Sequence, residues 1–212
     1  MEQSVEKWTV VARGRNRSFD RDEALDRALR LFWDHGYDGV SIGRLCQAAG
    51  IAPPSLYAAF KSKEDLYREA ALLYARRYGD PIFAAASEET DPADAIARLL
   101  AAAAAAFADI DTPAGCFAAT GLLTASPGAE DLKDVAGAMR RATRNWVKAR
   151  LEQAIVAGVL SKALEADLIA DYVAMLIEGL AVQARDGMET ERLTMMATLS
   201  AESCRNLIAA YR

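Results

Sequence analysis

An all-α chain is what this sequence predicts, with an amino-terminal three-helix unit containing a helix-turn-helix joined to a larger helical body. Three observations carry that prediction. Amphipathic order at helical spacing, rich in Ala, Leu, Arg and Glu, runs through nearly every segment, and few β-branched alternating stretches mark strands. Residues 40–60 set two short helical patterns on either side of Gly50. Of the 212 residues, 52% are hydrophobic and 26% charged, which is enough for one sizeable core or for a small domain fused to a larger one.

The first helix opens at Asp20, where Glu23 three residues on makes a capping-box-like start. Ala24, Leu25, Ala28, Leu29, Leu31 and Phe32 then recur at helical spacing until Gly36. Ser41 caps a second helix that runs to about Ala49, with Ile42, Leu45, Cys46 and Ala49 as its apolar stripe. Gly50 permits the turn. Pro53 and Pro54 suit the start of a helix and not its interior, so the third helix begins close to Pro54 and carries Ser55, Leu56, Tyr57, Ala58 and Ala59. Ser62 with Asp65 opens a fourth helix bearing Leu66, Ala70, Leu73 and Arg77, which Gly79, Asp80 and Pro81 break or kink.

Asp91 and Pro92 start another helix, whose alanine run 101–106 reads as a buried or half-buried face. Residues 111–128, with Pro113, Gly115, Gly121, Pro127 and Gly128, hold a short helix between loops. A long helix follows from about 130 to 157, ending at Gly158. Two more span roughly 165–186 and 191–211, separated near Gly187.

Cys46, Cys116 and Cys204 form no close pair and no metal-ligand spacing, and the single His35 leaves few partners for a zinc site or a catalytic triad. No cofactor, metal or catalytic set is expected, and an enzyme is not. No charged-then-apolar leader is evident and no apolar run approaches roughly 18 charge-free residues, which predicts a cytoplasmic protein with no membrane partner. The formal net charge is -5, yet residues 1–80 carry about +1 and the remainder about -6. Arg13, Arg15 and Arg17 crowd around Gly14 and Asn16 without an intervening acid, the composition either of a mobile arm that meets phosphates or of a solvated tail.

Two short helices hinged at one glycine are the minimal device for reading a DNA major groove. The reading helix must present its first turn to the bases, and small side chains there let its backbone come close. Pro53, Pro54, Ser55, Ala58 and Ala59 meet that demand. Ser55 is able to bond a base or a phosphate, whereas Ala58 and the prolines meet only apolar features such as a thymine methyl. Tyr57, Lys61 and the hydroxyl or amide of Ser41 are candidates to grip phosphates. For Tyr57 the alternative is packing between helices. Leu45, Leu56 and Phe60 are core, and His35 is a helix C-terminal cation or a packed side chain.

Phe32, Gly36, Tyr37, Ser41, Leu45, Ala48, Ala49, Gly50, Ile51, Ser55, Leu56, Tyr57, Phe60 and the run Ser62, Lys63, Glu64, Asp65, Leu66 are together similar to the amino-terminal signature of TetR-type (TetR/AcrR) transcriptional regulators. The resemblance is continuous over about residues 15–70. The rest of the chain resembles the family in helix number and order, and Gly115, Cys116 and Phe117 are similar to a Gly-Cys-aliphatic segment of one branch. The resemblance implies a flexible basic arm at 1–17, a helix-turn-helix DNA-binding domain at 18–62 and a helical ligand-binding and dimerisation domain at 63–212. It adds Lys63 to the DNA contacts. It also implies a homodimeric repressor on a palindromic double-stranded DNA operator, released by a small apolar inducer. Departures from the family pattern at Val40, Ala52, Pro53, Ala58 and Ala59 leave direct base readout sparse, so the arginine arm in a minor groove and DNA deformability should carry more of the specificity.

The last two helices are too apolar to face water alone. Ile169, Val173 and Ile177 on one and Leu193 and Ile208 on the other share that character. The resemblance implies a two-fold four-helix interface through Leu168, Tyr172, Leu176, Leu180, Met196, Leu199 and Leu207; the alternative is that they complete a monomer's core. It further implies an inducer pocket, for which Phe83, Phe107, Phe117, Met139, Trp146 and Met175, with Met188, are the candidates. Few charges fall on the inward stripes, which favours a neutral or weakly polar ligand. Signalling would pass through a pendulum-like shift of the helix at 62–78. Cys46 reads as an inert buried thiol or an oxidation site, and Cys116 is the better thiol-sensor or soft-metal candidate. The alternative function is a helical small-molecule or thiol-based redox sensor with weak or lost specific DNA binding.

Overall fold

The computed structural model describes residues 19–120, 122 and 129–212, and every regular element among them is helical. Arg13, Arg15 and Arg17, proposed as the arm, lie outside the described residues. The first helix, α1 (Arg21–His35), starts where Asp20 Oδ1 accepts from the Asp22 and Glu23 amides at 2.8 and 3.2 Å and stops at Gly36, φ 70°. Only half of the expected capping box forms, since the Glu23 carboxylate turns to Arg27 one helical turn on. Ser41 caps α2 (Ile42–Ala49) by accepting from the Arg44 amide at 3.2 Å. Gly50 closes it in the left-handed conformation, φ 67° and ψ 31°, and the Ile51 amide reaches back to Cys46 O at 3.0 Å. Next comes α3 (Pro53–Phe60), one residue earlier than the sequence reading, because Pro53 at its first position needs no N–H partner.

Ser62 caps α4 (Lys63–Tyr74), accepting from the Asp65 amide at 2.9 Å. Of the break or kink expected at residues 79–81, the break does not occur. The backbone instead widens into a π-helical turn over Ala75–Gly79, in which the Asp80 amide bonds Ala75 O, and passes directly into α5 (Asp80–Ser87). In an α-helix Pro81 would remove a hydrogen bond and crowd the carbonyl of Arg77; the wider turn avoids that conflict without ending the helix. Asp91 caps α6 (Pro92–Phe107), and the short α7 (Phe117–Thr120) precedes α8 (Glu130–Val156), α9 (Ala166–Arg185) and α10 (Thr190–Ala209).

Two apolar cores result. One joins α1–α4 to α7 and the start of α8, with Leu29, Phe32, Leu56, Phe60, Leu66, Tyr67 and Leu132 buried. Packing is therefore not cut at residue 62, since α4 belongs to the same core as the helix-turn-helix. The other lies among α6, the later part of α8, α9 and α10, and is built mostly from alanines and aliphatic side chains, with Phe107 the buried ring among them. Among the described residues no helix is long and apolar enough to cross a membrane, and no group of three or more His, Cys, Asp or Glu side chains gathers around a possible metal position.

Candidate nucleic-acid interface and buried cavity

The start of α3 is a blunt, apolar tip. Ala52, Pro53, Pro54 and Ala58 are exposed, and Ser55 is half-buried. Pro53 and Pro54 carry no N–H, and the Ser55 and Leu56 amides both bond Ala52 O, at 2.9 and 3.2 Å. From Pro53 to Leu56 the first turn consequently leaves no free backbone donor for a phosphate, so polar contacts along that turn come from side chains. Tyr57 is 46% exposed, whereas Leu56 and Phe60 are 1% exposed. The Tyr57 ring therefore faces outward from α3.

Ser41 is exposed at the start of α2, although its Oγ is already engaged with Arg44 N–H. Lys61 is exposed at the end of α3 and holds φ 64°, the sole non-glycine residue with positive φ among those described. Lys63 is less free than expected: its Nζ lies 4.0 Å from the centre of the Tyr37 ring, and burial lowers its pKa, opposed by Asp38 and Glu64. The hydroxyl of Tyr37 donates to Glu64 at 2.7 Å, holding that carboxyl below the usual carboxylate range. Sequence reasoning missed Arg44, which is exposed on α2 and within 3.2 Å of Gly39 O through Nη1. An arginine at the third position after a Ser cap, on the solvent side of the apolar stripe, was the available signal.

Arginines also fasten this unit together. Arg21 stacks over Phe60 at 4.4 Å, donates to Ala59 O at 3.2 Å and pairs with Glu69 at 2.7 Å, tying α1 to both α3 and α4. Arg27 donates to Ala48 O at 2.7 Å, joining α1 to the end of α2.

Behind the reader lies a cavity of ≈ 180 Å³ bounded by the π-helical turn and by α5 to α9. Phe83, Phe107 and Met139 line it. Trp146 stands behind Phe83, with ring centres 5.9 Å apart. Three candidates are elsewhere, and of these Met188 is half-buried against the core of α6, α9 and α10. Phe117 is fully buried between the rings of Tyr67 and Tyr74, at 5.2 and 5.3 Å, because α7 turns it toward α4. Met175 is 60% exposed on the outer side of α9, since Ala174, Ile177 and Glu178 take the cavity side. Three charged side chains, Asp80, Arg140 and Glu178, contribute to a wall that is otherwise mostly apolar. Arg140 is oriented by donating to Ala118 O at 2.7 Å.

Cys116 faces the cavity, and Tyr74 Oη donates to its Sγ at 3.2 Å. Burial raises the pKa of this thiol, so it stands as the protonated form. Cys46 is buried and its thiol is likewise raised by burial, which fits the inert reading.

On the outer surface of α9 and α10, Leu168 (62%), Leu199 (58%), Met196 and Leu207 are exposed, and Met175, Val182 and Met195 extend the patch. Tyr172 and Leu176 are half-buried at its margin, with Tyr172 Oη 3.1 Å from Ser203 Oγ. Leu180 is 5% exposed and belongs to the chain's own core, because its side of α9 faces inward with Val173 and Ile177.

Residues 24–70 match the family model described as bacterial regulatory proteins, tetR family. The chain is 34% identical over 187 residues to the HTH-type transcriptional repressor ComR of Escherichia coli K12, covering 88% of this chain and 89% of that protein. It is 26% identical over 196 residues to the repressor BdcR of the same organism, covering 92% and 94%. Among solved structures, a cysteine mutant of the TetR family transcriptional regulator CifR, complexed with 26-base-pair double-strand operator DNA, is 35% identical with a TM-score of 0.85, covering 90% of this chain and 99% of that one.

Proposed function

The chain belongs to the TetR family of bacterial regulatory proteins, and we propose that it is a homodimeric transcriptional repressor that leaves a palindromic operator when a small molecule occupies the cavity. The observation that carries this reading is the outward first turn of α3, held by the Gly50 hinge, in a chain whose fold follows an operator-bound relative over 90% of its length. Tyr57, Lys61, Ser41 and Arg44 are the phosphate contacts in this reading, and Ser55 and Ala58 meet base edges. Lys63 joins them on leaving the face of Tyr37, and Arg13, Arg15 and Arg17 meet phosphates and enter an adjacent minor groove, where they share the specificity with DNA deformability.

Leu168, Met196, Leu199 and Leu207, with Met175 now added, meet a second copy, so that each half-site is read by an identical subunit. Such a protein works in the cytoplasm, beside the DNA it reads, and no catalytic role is proposed. The ligand is small and largely apolar, with one polar group placed to meet Arg140 or Glu178 and with Cys116 as a contact. Occupancy must lower the free energy of the DNA-incompetent arrangement relative to the competent one. Sequencing source-genome fragments retained by the purified protein at near-physiological salt tests this reading. A recovered two-fold motif is expected; weak, salt-sensitive and sequence-indifferent retention would favour a small-molecule or thiol sensor that has lost its reader.

A further inference from the structure

Four carbonyls at the end of any α-helix lack a partner within that helix. In α1 the Gly36 amide takes the carbonyl of Phe32 at 2.9 Å. The next two are taken by a side chain that lies more than half the chain away. Arg185, the last residue of α9, donates through Nη1 to Trp33 O at 2.8 Å and through Nη2 to Asp34 O, and its Nη2 faces the Asp34 carboxylate at 3.7 Å. A planar guanidinium meets two carbonyls and a carboxylate at once, in addition to placing a cation at the negative end of the helix; a lysine ammonium cannot reproduce that fork.

A second contact presses on the same place. Gly115 has φ +83°, and a Cβ built on it would stand 2.6 Å from Ala181 O and 3.4 Å from Arg185 Cβ. The loop ending there therefore lies against the last turn of α9, and it also holds α1 through Asp111 O, which accepts from Arg30 at 2.6 Å. The end of α1 is thus gripped directly by the helix whose outer face carries Leu168 and Met175.

We propose that Arg185 is a positioning residue for operator binding, fixing the DNA reader to the helix at the two-fold interface and so setting the separation of the two readers. The proposal rests on the dimeric, operator-binding reading above. Because α1 is 15 residues long, about 22 Å at 1.5 Å per residue, a small tilt at its held end is carried to the far end that Arg21 ties to α3.

The test compares wild type with Arg185→Lys and Arg185→Gln on a set of operators whose half-sites are moved one base pair closer or farther apart. Wild type is expected to favour one spacing. The variants should lose about five- to tenfold of that discrimination, Lys as much as Gln, while still forming dimers. If Arg185 merely supports the fold, affinity falls by one factor at every spacing and the optimum stays, which overturns the proposal. Inter-subunit distances between nitroxides on Gln47→Cys, an exposed position, give a readout without DNA: a broadened or shifted distribution is expected in both variants. An unchanged distribution overturns the proposal as well. Should wild type itself show no spacing preference, the operator-binding reading fails, and these distances alone decide the role of Arg185.

Discussion

The two apolar cores of this protein are built from different materials. Around α1–α4 the rings of Phe32, Trp33, Tyr37, Tyr67, Tyr74 and Phe117 meet edge-on or stacked, from 4.8 Å for Trp33 and Tyr74 to 6.0 Å for Phe32 and Tyr37. Among α6, α9 and α10 the contacts are made by side chains such as Ala97, Ala103, Ala104, Ala181, Ala197 and Ala201, with Leu100 and Val173 between them. Alanine lets backbones come close and leaves nothing to re-rotate, so that side is a stiff frame. Aromatic rings tolerate several mutual geometries, and here two polar ends, Trp33 Nε1 and Tyr67 Oη, are buried without a hydrogen-bond partner among the described residues. The cavity lies where the two cores meet, with Tyr74 on one wall and Leu99, Ala103 and Phe107 on another. An occupant pushes against a wall that yields and a wall that does not, so displacement should run toward α4 and the reader.

Substitutions at matched depth break or sharpen this contrast. Trp33→Ala removes the ring on which both Tyr74 and Tyr78 rest edge-on and should lower the unfolding free energy by about 3–5 kcal/mol in denaturant titration. A loss below about 1 kcal/mol would show that the aromatic core does not bind the reader to the body. In the alanine frame the opposite change is the probe. Ala104→Leu overfills a 2% exposed site and should cost about 1–3 kcal/mol by the same titration, and a fully stable variant would mean the frame has room to spare. Tyr67→Phe deletes a buried hydroxyl that has no partner among the described residues, so stability should stay level or rise by up to about 1 kcal/mol; a clear fall would reveal a bond to that hydroxyl.

The smallest effect is tied to pH. The Tyr37 hydroxyl depresses the Glu64 pKa, and burial opposes it only in part. A depressed folded-state pKa gives stability that is present above the ordinary glutamate value and lost as pH falls through the folded one. Tyr37→Phe should therefore be less stable than wild type at neutral pH, with the gap closing on acidification. A gap that is the same from neutral to acidic pH would assign the loss to packing instead.

Elements governed by near neighbours were legible in the sequence. Asp20, Ser41, Ser62 and Asp91 each cap the helix they were expected to cap, and Gly36 and Gly50 end theirs. What depends on distant partners was not. Nothing near Pro81 distinguishes a broken helix from a widened turn, because the choice depends on packing of α4 and α5 against the body. Phe117 and Met175 are apolar in the right stretch, yet which way each points is set by the docking of α7 and α9. Lys63 resembled a free phosphate ligand until Tyr37, 26 positions earlier, was placed beneath it. Arg185 reads as an ordinary helix-terminal cation, and only the fold brings it to Trp33.

Hydrogen exchange on the free protein and on its complex with the recovered operator tests the contrast between the cores most directly, since it reports opening segment by segment. Changes in protection should concentrate in peptides from α1, α4 and the π-helical turn, with those from α6 and α10 unchanged. Equal changes throughout, or changes confined to α6 and α10, would contradict a stiff frame carrying a yielding reader.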